Sequence, residues 1–219
     1  MTFVFDYDGT LHDSMKIYAQ SFRKCCELMR MDGEAVKDYS DEEIKKWIGM
    51  DVKSMWNDFM PGLFEEKKKK YSGFIGENMV SLINEGKAVL YDSALDAVNG
   101  IRPFGKTLFL SSCKRSYMEA HIRAFGLDKY FDGFYCTEDY GFKPKYFIFE
   151  EIKKSYDGPF VIIGDRYSDI ETAVIHNTAS IGCLYGYGGE NELEKADIKV
   201  NSISELKEAL LKEAGNLTK

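Results

Sequence analysis

The chain opens on the short apolar run Thr2-Phe3-Val4-Phe5, which stops at Asp6 and the polar turn Asp8-Gly9-Thr10. A run of that length bounded by turn residues predicts a buried strand over residues 2–6. From Ser14 to Gly86 the spacing changes to that of helices. Ile17, Phe22, Cys25, Leu28 and Met29 form one stripe, and Ser40-Asp41-Glu42-Glu43 reads as a capping box for a helix carrying Ile44, Trp47 and Ile48. Pro61-Gly62 interrupts the pattern, and a third helix is predicted from Glu65 to Asn84 with Tyr71, Phe74, Ile75, Met79 and Leu82 inward. Beyond Gly86, short apolar runs alternate with helical segments. Strands are predicted at 107–110, 133–136, 160–163 and 179–184, and helices at 92–101, 116–125, 146–154, 169–176 and 203–212. Gly126 follows the second of these helices as a C-terminal cap.

Buried strands alternating with helices predict an α/β fold with a parallel sheet covered on both faces. The helical block then interrupts the sheet after its first strand and sits over one edge as a lid. In such folds the site lies beyond the carboxyl ends of the strands. Asp6, Ser111 and Asp165 each end a predicted strand, so they are expected to converge. There is no internal repeat and no low-complexity tract.

The length of 219 residues, with 44% hydrophobic and 30% charged residues, suits one α/β unit carrying an insertion. A net charge of −7 disfavours a nucleic-acid groove. An acidic protein can still bind an anion where a metal or a local cation stands. Cys25, Cys26, Cys113, Cys136 and Cys183 are odd in number and lack paired spacing, so reduced thiols are expected. No run approaches the roughly 18 apolar residues of a membrane span. The candidate site begins at residue 6 and leaves no room for a leader. A soluble cytoplasmic protein is therefore expected, as a monomer or homodimer without nucleic-acid or membrane partners.

Asp6 and Asp8 carry the strongest chemical signal. Two carboxylates one residue apart at the end of a buried strand are costly to place, and a divalent cation is the obvious compensation. Asp165 and Asp169, one helical turn apart, read alone as a helix cap and a first-turn acid. Beside Asp6 and Asp8 they read as further groups of one metal site.

In order along the chain, Asp6-x-Asp8-Gly9-Thr10, Ser111 after an apolar strand, Lys143-Pro144 and Gly164-Asp165-x-x-x-Asp169 resemble the four motifs of the haloacid dehalogenase superfamily. The resemblance covers about two-thirds of the chain. It implies a Rossmann-like three-layer core (1–13 and 92–219) with an inserted α-helical cap (14–91). It further implies Mg²⁺-dependent hydrolysis of a small-molecule phosphate ester. Asp6 would attack phosphorus, and Asp8 would protonate the leaving oxygen and then activate water. Burial and Asp6 are expected to raise the pKa of Asp8. Mg²⁺ would take the Asp6 and Asp165 side chains and the Asp8 carbonyl, with Asp169 behind them. Gly9, Thr10, Ser111, Ser112 and Lys143 would surround the phosphate. Lys145 rivals Lys143, and the family's Lys-Pro arrangement favours Lys143. Departures are Cys113 where relatives often carry Lys, Phe142 for the usual Gly, and Tyr91-Asp92 for the common Tyr/Pro-Gly.

Gly164-Asp165-Arg166 and Tyr185-Gly186-Tyr187-Gly188 resemble the phosphoglycolate phosphatase-like branch, which includes nucleotidase-like and pyrophosphatase-like members. In the cap, Lys53 is the nearest candidate cation for an anionic substrate. Lys67-Lys68-Lys69-Lys70 is expected to pair at i,i+4 on a solvated helix face. Trp47 and Trp56 are expected in the cap core. The histidines His12, His121 and His176 lack metal spacing. His12 reads either as lining the pocket mouth or as an ordinary hinge residue, and Cys113 either as near the phosphate or as an inert thiol. A phosphomutase of the β-phosphoglucomutase kind and a pyrophosphatase are the rival enzymes. A phosphate-binding regulator would have lost its acid/base or metal residues, and both sets are intact.

Overall fold

The computed structural model describes residues 1–216. In chain order it contains β1 (Thr2–Phe5), α1 (Met15–Met31), α2 (Asp41–Lys45), α3 (Val52–Phe59), α4 (Glu65–Asn84), α5 (Ala94–Ile101), β2 (Lys106–Ser111), α6 (Arg115–Phe125), β3 (Gly133–Cys136), α7 (Lys145–Ile152), β4 (Phe160–Gly164), α8 (Tyr167–His176), β5 (Ala179–Cys183), β6 (Ile198–Val200) and α9 (Ile203–Asn216). The strands form one six-stranded sheet in the order β3-β2-β1-β4-β5-β6, and every neighbouring pair is parallel.

Side chains alternate across a strand, and here that alternation makes two cores. Phe3, Phe5, Phe109, Val161 and Ile163 pack on one face with Val98 and Ile101 of α5 and Leu206 and Leu210 of α9. Val4, Leu108, Leu110 and Ile162 pack on the other with Ile148, Phe149 and Ile152 of α7 and Ala173 of α8. Every residue of β1 is buried, as a strand covered on both faces requires. The chain builds outward from β1 to β3 and then returns to build from β4 to β6. The strand order therefore reverses between β1 and β4, where a ligand crevice is expected.

Helices α1–α4 are inserted between β1 and β2 as a cap with its own apolar cluster, including Phe22, Met29, Ile44, Trp47, Trp56 and Tyr71. The Trp47 indole donates to Asp58 at 2.7 Å and the Trp56 indole to Ser72 at 2.6 Å, so both rings are buried without orphaned N–H groups. The cap rests on α6, where Ile17, Leu82 and Ile83 pack on Tyr117 and Ala120. Two crossings join it to the core side by side: the Asp13 backbone N–H donates to the Val89 carbonyl at 2.9 Å.

Two elements were not expected from the sequence. In α3, Asp51 caps the Ser54 N–H at 3.0 Å, which starts a helix in the stretch that the capping box of α2 had overshadowed. In β6, only three residues pair, too few for a periodic signal. The lysine run also departs from expectation. Lys67 pairs with Glu34 and Lys70 with Asp32 at 2.6 Å, so these side chains tie α4 to the segment after α1; Lys68 pairs with Glu65 at i,i+3. No helix among the described residues is long and apolar enough to cross a membrane.

Phe109 sits against Tyr7, Phe131 and Phe134, with ring centroids 4.9, 6.0 and 5.6 Å away. Phe109→Ala is expected to destabilise the fold by about 3–5 kcal/mol. Phe104→Ala, at a site 43% exposed, should stay within about 0.5 kcal/mol. Urea unfolding of both variants checks the contrast.

Candidate active site

Asp6 follows β1 directly and Asp165 follows β4, so adjacent strand ends bring their carboxylates together. Asp169 enters from the first turn of α8. One carboxylate oxygen from each of the three lies within 4.8 Å of the others, and all three residues are buried. Lys145, 4% exposed, stands between two of them. Its ammonium donates to Asp6 Oδ1 and to Asp169 Oδ1, each at 2.6 Å.

Three buried carboxylates against one ammonium leave an excess of negative charge. Burial first, then the charge of Asp169, push the Asp6 carboxyl well above its ordinary range, and Lys145 only partly opposes this. Burial and Asp169 likewise push Asp165 up to about 7. Burial alone would lower Lys145; Asp169 and Asp6 reverse that and hold it above the ordinary lysine value. A dense, buried, all-oxygen donor set with surplus negative charge fits a hard divalent cation such as Mg²⁺. Asp169 is already engaged on both oxygens, since Oδ2 accepts the Arg166 N–H at 3.1 Å. It closes the first turn of α8 and anchors Lys145 at once, so the first-turn-acid reading of Asp169 and its place in the site hold together.

Asp8 points away from this cluster. Its Oδ1 accepts from His12 Nδ1 at 2.8 Å and from the Tyr117 hydroxyl at 2.7 Å. The expectation of a raised pKa is corrected. Burial does push the group up, but the His12 hydrogen bond and charge, with help from His121 and Tyr117, outweigh it and hold Asp8 below its ordinary value. His12 itself is fully buried and lies under Asp8 rather than at the pocket mouth.

A cavity of about 170 Å³ opens between cap and core. Asp6, Asp8, Ser111, Ser112 and Lys145 line its core side. Gly9 and Thr10, expected beside phosphate, do not line it. Thr10 is buried with its hydroxyl 3.4 Å from Asp165 Oδ1. Gly9 has φ +85°, and a Cβ there would come within 2.3 Å of Asp165 Oδ2. Their place is to seat Asp165, through a turn that only glycine fits.

Two sequence expectations are overturned. Lys143 is exposed, its ammonium 3.9 Å from the Phe147 ring centroid. The chain enters α7 at Pro144, so Lys145, the first helical residue, turns inward, and Lys143 stays on the surface loop. Lys53 is exposed on α3 and does not reach the cavity. The cation that does reach it toward the cap is Lys114, which precedes α6 and approaches Gly76 of α4. Cys113 also lines the cavity, and burial pushes its thiol well above the ordinary range, which suits an unreactive thiol.

The Tyr185–Gly188 loop takes a part that motif reading left without a mechanism. The Tyr187 backbone N–H donates to Asp165 Oδ2 at 2.7 Å. Its hydroxyl donates to Asp13 at 3.0 Å and accepts the Met15 N–H at 2.9 Å. A Cβ on Gly188 would fall 1.8 Å from the Asp165 carbonyl oxygen, so the loop can close over this acid only with glycine there. Arg166 donates to Glu192 at 3.0 Å and to the Ile48 carbonyl, joining the core to the cap.

With this geometry in view, the comparisons with known proteins agree in fold. The pyrophosphatase PpaX of Bacillus pumilus is 24% identical over 212 residues, covering 94% of each chain. Among solved structures, a predicted phosphatase from Clostridium acetobutylicum superposes with a TM-score of 0.82 at 23% identity, covering 96% of this chain and 98% of that one. A predicted phosphoglycolate phosphatase from Haemophilus somnus gives a TM-score of 0.79 at 18% identity, covering 95% and 96%. A family model of haloacid dehalogenase-like hydrolases matches residues 3–183, and the chain belongs to that family.

Proposed function

We propose that this protein is a Mg²⁺-dependent phosphatase that hydrolyses a compact phosphate monoester through a phospho-enzyme on Asp6. The observation that carries the reading is the lysine-balanced acid cluster opening, at Asp6, onto the cap–core cavity. Lys145 engages Asp6 Oδ1, and Oδ2 would serve as the attacking oxygen. Asp8 handles protons at the leaving oxygen. Ser111 and Ser112 supply hydroxyl donors to the phosphoryl oxygens, and Lys145 offsets their charge. Asp6, Asp165 and the Asp8 carbonyl would hold Mg²⁺, with Asp169 behind them. When bound, the ion would neutralise phosphoryl charge and help align the reacting groups.

The cap wall supports a compact alcohol as leaving group. Tyr18, Ile48, Met50 and Met79 dominate it, and Lys114 and Lys145 are the cations lining the cavity among the described residues. An apolar cavity of about 150 Å³ accommodates a benzene-sized guest. A phosphoryl group with a small alcohol fits this volume better than a nucleoside monophosphate. Pyrophosphate, suggested by the Bacillus relative's name, would bring a second densely charged group against the methionines. A phosphoglycolate-like ester remains within reach of Lys114. A phosphomutase would share this chemistry and differ in needing a bisphosphate activator. Cytoplasmic location and a monomeric or dimeric state belong to the same proposal; the unpaired thiols suit a reducing compartment.

Purified protein should release phosphate from a compact monoester without a bisphosphate activator, and faster than from pyrophosphate or a nucleoside monophosphate. EDTA should stop turnover and Mg²⁺ restore it. Full activity in excess chelator would remove the metal from the proposal. Asp6→Asn should lose at least about 10³-fold in kcat with an unchanged circular dichroism spectrum; wild-type turnover would eliminate Asp6 as nucleophile. Lys145→Met should lower kcat by about 10²-fold or more, whereas Lys143→Ala should remain within about twofold. The reverse order of effects would return the role to Lys143.

A further inference from the structure

The proposed chemistry does not account for the group beneath Asp8. His12 is 0% exposed in an aromatic box. Its ring stacks on Tyr7 at 5.3 Å and meets His121 edge-on at 4.4 Å and Tyr117 at 6.5 Å. Backbone bonds lock the same turn: His12 N–H donates to the Tyr7 carbonyl at 3.0 Å, and Gly9 N–H to the His12 carbonyl at 2.9 Å. His12 Nε2 and His121 Nε2 are both buried without a hydrogen-bond partner. Such orphaned atoms cost stability, and a phenylalanine would fill the space of His12 without that cost. What the imidazole adds over phenylalanine is the bond from Nδ1 to Asp8 Oδ1. The acceptor is a carboxylate oxygen, so Nδ1 carries the hydrogen.

Tyr117 adds a second donor beside the first, its hydroxyl donating to the same oxygen and lying 3.3 Å from His12 Nδ1. Its ring belongs to the cluster formed with Ile17 of α1 and Leu82 of α4, so this second donor stands where the cap seats on the core. Two neighbouring donors on Oδ1 restrain the rotation of the Asp8 carboxyl group.

We propose that His12 and Tyr117 are positioning residues that hold Asp8 Oδ1 so that Oδ2 faces the leaving oxygen. The inference rests on the reading of Asp8 as the proton-handling group. In the first half-reaction an Asp6 oxygen forms a bond to phosphorus as the bond to the leaving oxygen breaks. The anionic ester beside Asp8 favours its protonated form, so a proton enters on Oδ2 as the ester binds. That proton passes to the leaving oxygen, the alcohol leaves neutral and Asp8 becomes a carboxylate again. In the second, water oxygen bonds to phosphorus, the bond to Asp6 breaks, and the water proton returns to Oδ2. A misaimed Oδ2 penalises an alkoxide, which needs the proton, far more than a nitrophenolate, which departs without it.

The test compares kcat/KM for an alkyl phosphate and for p-nitrophenyl phosphate, with Mg²⁺, in wild type, His12→Phe, Tyr117→Phe and His12→Asn. In His12→Phe and Tyr117→Phe the loss on the alkyl ester should exceed the loss on the aryl ester by about tenfold or more. His12→Asn, whose amide can donate from the place of Nδ1, should recover most of that ratio. Equal losses on both esters, or no loss, would reduce His12 and Tyr117 to packing residues. If His12→Phe does not fold, Tyr117→Phe and His12→Asn decide the matter. A wild-type protein that hydrolyses neither ester overturns the proton-handling reading, and this inference with it. An active wild type with unchanged ester ratios in the variants overturns this inference alone.

Discussion

One ammonium holds the active site in its observed form. Lys145 lies between Asp6 and Asp169, and without it Asp6 and Asp169 would face each other and Asp165 with no ammonium between them. Breaking a buried pair is costly because the remaining charge has lost its compensation. The position of that ammonium is set by packing elsewhere. Ile148, Phe149 and Ile152 seat α7 on the sheet and against Ala173 of α8, and the first residue of α7 is Lys145. Electrostatics at the strand ends is thus only as well defined as the apolar contacts below it.

How much of this was legible depends on the range of the interaction concerned. Asp6 and Asp165 were readable because each terminates a continuous apolar run, and parallel neighbours place such ends side by side. The cap insertion was readable from the change of period after Ser14. Lys145 was harder, because the choice between it and Lys143 turns on which side of Pro144 the backbone swings toward the core. Motif likeness pointed the other way. His12 was not readable at all: its burial depends on Tyr117 and His121, more than 100 positions away along the chain. Lys53 was misjudged because α3 had not been recognised, and a residue's exposed face cannot be assigned before its helix is.

Cap and core differ in how they are built. The core has two apolar layers separated by a sheet whose alternation assigns each side chain a face. The cap has an aromatic cluster in which Phe22, Trp47 and Phe59 meet at ring-centroid distances of 5.0 Å. This mix of stacked and edge-to-face rings lies behind a cavity wall where Met50 and Met79 present flexible side chains. The cavity's cap wall can therefore change shape while the acids at the strand ends stay as they are.

Tyr187 ties these parts mechanically. Its backbone N–H holds Asp165, while its hydroxyl grips Asp13 and the Met15 N–H, where the chain leaves the core for the cap. A rotation of α1 about that point pulls on the same residue that steadies Asp165. Any lifting of the cap would thereby slacken the grip on Asp165, and reseating it would tighten that grip. The traffic of molecules through the lid and the readiness of the acids behind it would then run on one shared lever.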